Sequence, residues 1–511
     1  MGWRRYALLA VLGLGLAFAV AQFQRFPGYL DSDYYFAGGV QLAGGKGFTE
    51  PYLWNYLDDP AGLPHSSHSY WMPLSSIISA LGMWITRSQT YQTGRIGFLL
   101  LAGLVPVVTA ALACNFTQRR DLAFTSGLLA VFAVYYVPFL PVPDNYGPYL
   151  VLGGLYFLTM AWSKPASYLV LGGLAGLMAL ARSDGLLWLG LTGVLIAGRL
   201  IADRKLPAAM WNGLLALIGF LLAAGPWFWH TYSVYGTPLA PGGAHLLWLR
   251  TYDDTFTYPA DQLTMQSWLA QGWQPILAAR LMALRWNLLN VFAAQGEIFI
   301  LPFILLGLWI HRRDARVRLA LFGWVCLLLV MTLVFPFAGA RGGFFHSGAA
   351  LQPVWWTLAP VGLDRAIAAA RRRGMFTPQA FRIFQGGLVS LAVLMTGVIL
   401  AIRVLPHWGE GEDQYPKVEA YLQTQGIQPE DVVMVRNPPG YYLMTGRSAI
   451  VVPYAEEASI AAAARRYGAM YLVIERAGTS GPIRAVYDRT ANRYFTFVSD
   501  IDGTRIFRLN P

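Results

Sequence analysis

Charge and cysteine are both scarce in this sequence. Only 13% of its 511 residues are charged, and only two are cysteines, Cys114 and Cys326. A soluble domain carries about a quarter charged residues, so the shortage of charge excludes an ordinary soluble protein. Two widely separated cysteines also exclude a disulfide framework and a cysteine metal cluster.

Apolar residues are abundant instead. They make up 56% of the chain, and the mean hydropathy is +0.43. They gather in runs of roughly 17 to 23 residues, the length that crosses a bilayer core about 30 Å thick. We therefore expect an all-α polytopic membrane protein with about eleven spans. These spans cover residues 6–22, 95–113, 122–140, 146–162, 167–181, 186–198, 211–229, 286–310, 319–335, 351–363 and 386–402. The first is read as a retained anchor rather than a cleaved signal peptide.

The basic residues predict the orientation of these spans. Of the 26 Lys and Arg residues before Arg403, 14 lie in "TQRRD", "RLIADRKL", "HRRDARVR" and "DRAIAAARRRGMFTPQAFR", all on the side of the N-terminus when eleven spans are counted. Positively charged loops stay in the cytoplasm. The net charge of +11 is therefore a topology signal and not evidence for a nucleic-acid partner. Residues 23–94, 232–285 and everything after 402 are predicted to lie outside a plasma (inner) membrane.

The chain changes character after the last span. The segments "DVVMVRN", "RSAIVVP" and "AMYLVIE" read as strands, "EASIAAAARRYG" as a helix closed by glycine, and "YFTFVSD" with "GTRIFRL" as a hairpin turned by Asp502 and Gly503. We expect two domains, a transmembrane domain over 1–402 and a small extracytoplasmic α/β domain over 403–511.

Two helices are predicted in the first outer loop. One is expected over 34–43, capped by Asp31 or Asp33 and ended by glycines. The second follows "YWMPLSSIISALGMWIT", whose apolar residues recur at helical spacing, as in a helix lying along the membrane interface. The alternative, a further full span, would invert every later loop.

Three carboxylates fall on the outer side. Capping needs only one acid, whereas Asp31 and Asp33 are two. A carboxylate that is partly desolvated beside a like charge has a raised pKa and can serve as a general base near neutral pH. Asp144, in "PVPDNYG", either caps the following helix or belongs to the same site.

Cationic residues sit at the outer ends of other spans. Arg182 in "ARSDG" can pair with Asp184, while Arg341 in "FAGARGGFFHS" has no acid in its own loop and needs a partner from elsewhere in the fold or from a ligand. Glycines flank Arg341 and would let a phosphate approach the backbone closely. His346 adds a further donor there. Acids facing such cations fit transfer from a lipid phosphate.

A metal site is a weaker possibility. His65 and His68 in "PHSSHS" could supply ligands together with an acid such as Asp33. The spacing also arises by chance, so both interpretations stay open.

The segments "DSDYYFAGGVQLAGGKGF", "YWMPLSSIISAL" and "GGLAGLMALARSDGLL" resemble the C-type glycosyltransferases, among them protein O-mannosyltransferases and bacterial aminoarabinose transferases. The resemblance covers about residues 1–402. It implies that the catalytic acid falls on Asp31, with Asp33 one position away from where relatives often have a second acid. It also implies a functional acid at Asp144 and donor-phosphate contacts from Arg341 and, less directly, Arg182.

The resemblance further implies the reaction: a sugar moves from a polyprenyl-phosphate donor to a hydroxyl of a glycan, lipid or protein, with inversion, on the outer face of the membrane. Some of these enzymes bind a divalent metal, which Asp33 and His68 would permit here. The aromatic loop "LRTYDDTFTYP" is a candidate acceptor surface, or a loop packed over the bundle. The rival hypotheses are a transporter or flippase, which would have charges or broken helices at the bilayer midplane, and a non-catalytic membrane scaffold.

Overall fold

The computed structural model describes residues 1–510 except 163, 378, 407, 410, 477–478, 480 and 490. In chain order the helices are α1 Trp3–Ala21, α2 Leu30–Ala43, α3 Leu74–Thr86, α4 Tyr91–Gly94, α5 Ile96–Thr117, α6 Arg120–Val131, α7 Tyr146–Thr159, α8 Ala166–Ala181, α9 Leu186–Asp203, α10 Leu206–Tyr235, α11 Met265–Ala270, α12 Trp273–Asn290, α13 Leu301–Ile310, α14 Ala315–Leu329, α15 Pro336–Ala338, α16 Phe344–Gly348, α17 Gln352–Arg372, α18 Ala380–Arg403, α19 Gln414–Thr424, α20 Pro438–Thr445, α21 Glu457–Tyr467 and α22 Gly481–Asp488. The strands are β1 Thr49–Glu50, β2 Tyr52–Leu53, β3 His65–Ser66, β4 Val432–Val435, β5 Ala449–Val451, β6 Ala469–Glu475, β7 Phe495–Ile501 and β8 Thr504–Leu509.

The chain is a multi-pass membrane protein. In the described residues, seven helical segments are long and apolar enough to cross a bilayer: Trp3–Ala21, Tyr91–Thr117, Ser183–Asp203, Leu206–Tyr235, Trp273–Gln295, Ala315–Val334 and Ala380–Arg403. The predicted count of eleven spans is therefore not confirmed.

Part of the difference arises where an apolar run does not continue as one helix. In the predicted span 122–140, helix α6 ends at Val131, and the rest is an irregular segment that is largely buried within the bundle. The predicted span 286–310 is divided between α12 and α13, because Glu297 and Ile298 adopt left-handed φ values of 45° and 63°. Elsewhere the predicted spans 146–162 and 167–181 fall on helices of only 14 and 16 residues. An apolar run records burial in protein as well as burial in lipid.

Helix α2 begins earlier than predicted. It starts at Leu30 rather than at 34, so Asp31 and Asp33 both lie in its first turn. The residue at the cap position is Tyr29, and no side chain caps the helix. The prediction that one of the two acids is the cap was therefore wrong, and both carboxylates are left for other contacts.

Helix α3 packs its polar face inward. Ser75, Ser76 and Ser79 are fully buried, whereas Leu81 and Trp84 on the apolar side are about half exposed. The inward face meets α2 at two glycines: a β-carbon at Gly39 would lie 2.7 Å from the β-carbon of Ser79. Small residues on both helices let the two backbones approach closely.

The C-terminal region is a small α/β unit, as predicted. The three predicted strands are β4, β5 and β6, and the predicted helix is α21, which ends at Gly468 with a left-handed φ of 70°. The final hairpin, β7 and β8, turns at Asp502 and Gly503, both with positive φ.

One strand of this sheet comes from elsewhere in the chain. The order is β2-β5-β4-β6-β8-β7, parallel from β2 to β6 and antiparallel after it. Strand β2 belongs to the segment between α2 and α3 and pairs through Tyr52 and Leu53 with β5. The sheet therefore joins the C-terminal region to the loop that carries α2.

Candidate active site

A cavity of ≈ 240 Å³ lies beside the first turn of α2. It brings together four of the residues singled out in the sequence, Asp31, Arg182, Arg341 and His346. Its remaining lining residues are largely aromatic and aliphatic: Leu30, Tyr35, Trp54, Tyr70, Trp71, Met72, Ala181, Ser183, Asp184, Gly243, Leu246, Leu249, Tyr252, Thr255, Met331, Phe335, Ala338 and Gly343. A concave, mostly apolar cavity with a few convergent polar groups is the usual form of a ligand site.

Asp31 is the carboxylate that faces this cavity. Its side chain is 33% exposed, and its Oδ2 lies 3.9 Å from Nε2 of His346. Burial, followed by the nearby charge of Asp144, raises the pKa of Asp31 to about 7, although Arg182 opposes the shift. A carboxylate with that pKa can accept a proton near neutral pH.

Asp144 lies behind His346 and is buried. It accepts hydrogen bonds from the Tyr29 hydroxyl and, at 2.5 Å, from the backbone N–H of Asn145. Helix α7 starts at Tyr146 with no side-chain cap, so the capping prediction for Asp144 was wrong. Burial raises the pKa of Asp144 to about 6 against these hydrogen bonds.

His346 separates the two carboxylates. Its Nδ1 is 3.7 Å from Oδ1 of Asp144 and has no hydrogen-bond partner among the described residues. The ring stacks on Tyr146, with centroids 4.0 Å apart. Burial, assisted by Arg182, lowers the pKa of His346 well below its ordinary value. The imidazole is therefore neutral, and it lies beyond hydrogen-bond distance of both acids.

Arg182 is paired within its own loop. Its Nε donates to Asp184 at 3.2 Å, as the simpler reading of "ARSDG" predicted. Asp184 also accepts from the hydroxyls of Tyr149 and Ser347, so three elements fix the pair. Both Arg182 and Asp184 nevertheless line the cavity. Their side chains are only 18% and 14% exposed.

Arg341 is the more available cation. Its guanidinium lies 4.6 Å from the ring centroid of Tyr252, which belongs to the loop that follows α10. Among the described residues no carboxylate lies within ion-pair distance of it. The next residue, Gly342, has a φ of 116°, a conformation that favours glycine. A β-carbon at this position would lie nearest to the ring of His346. The partners of Arg341 thus come from the loop after α10: the aromatic face of Tyr252 and the charge of Asp253, which lies beyond ion-pair distance. Because Arg341 forms no ion pair with a described residue, its guanidinium can still bind an anion.

Asp33 does not reach the cavity. It is fully buried on another side of α2, where its Oδ2 accepts from Nδ2 of Asn437 at 2.7 Å. Burial raises the pKa of Asp33 to about 7. The structure therefore separates the two acids that the sequence places side by side.

His68 is also held elsewhere. Its two ring nitrogens contact the hydroxyls of Ser67 and Ser76 at 2.7 and 3.0 Å, and burial, with His230, lowers its pKa to about 3. Asp33 and His68 thus have separate partners. Among the described residues no group of three or more His, Cys, Asp or Glu is suited to hold a metal ion. These residues do not fit a metal.

Solved structures share this architecture. The oligosaccharyltransferase of Archaeoglobus fulgidus, in complex with zinc and sulfate, superposes with a TM-score of 0.61 at 12% identity, over 98% of this chain and 72% of that one. ArnT from Cupriavidus metallidurans gives 0.55 at 11% identity, over 98% and 97% of the two chains. The chain has the fold of the C-type glycosyltransferases. No protein-family model and no curated protein matches it.

The aromatic side of this cavity was not predicted in detail. Trp54 and Trp71 stack with centroids 4.0 Å apart, and Tyr70 meets Trp54 edge-on at 4.8 Å. The signal for it in the sequence was the aromatic pair Tyr70 and Trp71, which directly precedes "MPLSS". The loop "LRTYDDTFTYP" packs over the cavity and contributes Leu249, Tyr252 and Thr255 to its lining.

Proposed function

We propose that this protein is a membrane glycosyltransferase that moves a sugar from a polyprenyl-phosphate donor to a hydroxyl acceptor on the outer face of the plasma (inner) membrane. The observation that carries the proposal is one cavity shared by Asp31, with its raised pKa, and two guanidinium groups, Arg182 and Arg341. A base beside a cationic subsite is what attack by a hydroxyl and departure of a phosphate require.

In the proposed reaction Asp31 accepts the proton of the acceptor hydroxyl. The acceptor oxygen forms a bond to the anomeric carbon as the bond from that carbon to the phosphate oxygen breaks. The electron pair leaves with the phosphate, where Arg341 and Arg182 stabilise the charge. A single displacement of this kind inverts the anomeric centre.

Asp144 and His346 support the base. Asp144 keeps a negative charge near Asp31 and so raises its proton affinity. The neutral ring of His346 lies between the two carboxylates, 3.9 and 3.7 Å away, and keeps them apart. In this proposal Asp144 acts on Asp31 through its charge and does not contact the substrate.

The lining supports an amphiphilic donor. Met331, Phe335 and Ala338 give an apolar wall beside Arg341, suited to the first isoprene units of a lipid. The A. fulgidus enzyme has been solved with a dolichol-phosphate and ArnT with undecaprenyl phosphate. On the other side, Tyr70, Trp71 and Tyr252 offer aromatic faces on which sugar rings can stack.

A second candidate function is transport of an amphiphile. It is favoured by the break between α12 and α13, where Glu297 is fully buried. There Glu297 accepts a hydrogen bond from the indole N–H of Trp356 at 2.7 Å. Buried charges at broken helices mark the pathways of transporters. Transport would not need Asp31 as a base.

The test is turnover of radiolabelled polyprenyl-phosphate sugars by purified protein in lipid nanodiscs, with and without a chelator. Wild type should release free polyprenyl phosphate, Asp31→Asn should not, and Arg341→Ala should lose about ten- to a hundredfold in kcat/KM. Arg312→Ala is the matched control, since Arg312 also stacks on an aromatic ring, Trp309, at 4.3 Å but lies outside the cavity. Donor flux in vesicles that survives Asp31→Asn would replace the transferase by the transporter.

A further inference from the structure

The helix that carries Asp31 is also in contact with the C-terminal region. Asp33, two residues further along α2, is fully buried and accepts from Asn437 at 2.7 Å. The carboxyl group of Glu412, itself only 5% exposed, lies next to Asp33, so that burial and the charge of Asp33 raise the pKa of Glu412. Two touching carboxylates cannot both be charged, so this pair shares a proton. Asp33 is thus bound from two sides by residues beyond 403.

Asn437 is itself held in place. It precedes α20, and its side-chain oxygen accepts from the backbone N–H of Gly440 at 3.2 Å. A β-carbon at Gly440 would lie 2.6 Å from Nδ2 of Asn437 and 3.2 Å from Oδ2 of Asp33. The absence of a side chain at 440 therefore lets the start of α20 approach α2 closely.

Further contacts join the same two parts at both ends of α2. Near its end, Gln41 donates to the hydroxyl of Tyr442 at 2.8 Å. Before its start, Trp408 donates to the carbonyl of Phe26 at 3.1 Å and packs edge-on against Tyr29, which in turn donates to Asp144. The C-terminal region therefore contacts α2 at Asp33 and Gln41, and it also contacts the residues just before the first turn of α2.

We propose that Asn437 and Glu412 fix the position of Asp31 by holding Asp33, so that Asp33 is a positioning residue and the C-terminal region is part of the active site. Its catalytic consequence rests on the proposed function. A displacement of a reacting group by about 1 Å can cost on the order of a hundredfold in rate.

The proposal distinguishes hydrogen bonding from acid–base chemistry at position 33. In Asp33→Asn the amide oxygen still accepts from Asn437, and the amide N–H₂ donates to Glu412. That variant should keep kcat within about threefold of wild type. Asp33→Ala and Asn437→Ala break the contact and should lower kcat by about ten- to a hundredfold, with little change in KM for the donor.

The matched control is Asn492→Ala. Asn492 lies in the same C-terminal region, where its side chain accepts from the backbone N–H groups of Tyr494 and Phe495 at 2.7 and 2.9 Å. It stabilises a turn there without touching α2. A loss of kcat in Asn437→Ala but not in Asn492→Ala therefore separates positioning of α2 from stability of the region.

Amide hydrogen exchange of the full-length protein in nanodiscs gives a readout that does not depend on turnover. Residues 30–43 should exchange faster in Asn437→Ala than in wild type and Asn492→Ala. If wild type turns over no donor, the proposed function fails. Hydrogen exchange alone then tests whether Asn437 holds α2 in place. Equal exchange in the two asparagine variants, or an Asp33→Asn variant as inactive as Asp31→Asn, would overturn the positioning role.

Discussion

At the scale of single residues, the proton affinity of Asp31 depends on its neighbours. Burial raises its pKa to about 7, and the charge of Asp144 adds to the shift. Asp144→Asn removes a negative charge next to Asp31, which favours the ionised form and lowers its pKa. We expect the acidic limb of the pH profile of kcat/KM to move to lower pH, whatever the loss in maximal rate.

The control for this shift is Asp364→Asn. Asp364 pairs with Arg119 at 2.8 Å and does not line the cavity, so its removal should leave the limb in place. If the acidic limb of Asp144→Asn lies at the same pH as in wild type, or at a higher pH, Asp144 does not act on the base.

Asp33 should affect stability as a function of pH. Its pKa is raised from 3.8 in the unfolded chain to about 7, so the folded state keeps a proton that the unfolded chain releases between these values. Stability is therefore lost as pH rises through that window, at about 1.4 kcal/mol per pKa unit. Asp33→Asn cannot ionise and should unfold at a higher temperature than wild type above pH 7. The gap should narrow as pH falls towards 4, measured by thermal unfolding in nanodiscs; an equal gap at every pH would contradict the argument.

At the scale of elements, the packing of α2 on α3 sets where the first turn of α2 lies. A β-carbon at Gly39 would come within 2.7 Å of Ser79 and 3.2 Å of the Ser76 carbonyl, which is backbone and cannot rotate away. We expect Gly39→Ala to destabilise the protein by about 1–3 kcal/mol and to lower turnover. Gly193→Ala is the control, because nothing lies within 4 Å of its added carbon. Thermal unfolding that is the same for both variants would show that α2 can shift freely.

Elements with local signals were predictable from the sequence. Two examples are the turn at Asp502 and Gly503 and the end of α21 at Gly468. Both need a backbone with positive φ, which Gly and Asp adopt readily and which their presence in the sequence therefore predicts. Strand β2 was missed because its pairing with β5 spans almost the whole chain and involves two residues. The start of α2 was missed because Tyr29, its cap residue, offers no capping side chain.

The candidate site was predictable in its residue types and less so in its grouping. Asp31, Arg182, Arg341 and His346 were singled out by their place at the ends of apolar runs, and the fold gathers them around one cavity. Asp33 could not be separated from Asp31 by sequence, since only the contact with Asn437 shows which way it faces. Their catalytic and binding roles remain predictions.

At the scale of the whole molecule, the fold is shared with glycosyltransferases at 11–12% identity, so it is fixed by the pattern of spans and packing more than by particular residues. The proposed chemistry also requires a definite orientation. Asp31 and the C-terminal region are in contact through Asp33 and Asn437, so they must lie on the same side of the membrane.

That orientation can be measured directly. In a variant without native cysteines, Cys114→Ala and Cys326→Ala, one reporter is introduced at an exposed position at a time: Gln425→Cys in the C-terminal region or Arg313→Cys in the basic loop before α14. Positively charged loops stay in the cytoplasm, so a membrane-impermeant maleimide should label position 425 in intact cells and position 313 only after permeabilisation. Labelling of 313 but not 425 in intact cells would invert the protein and put the cavity on the cytoplasmic face, where an outward-facing transfer could not occur.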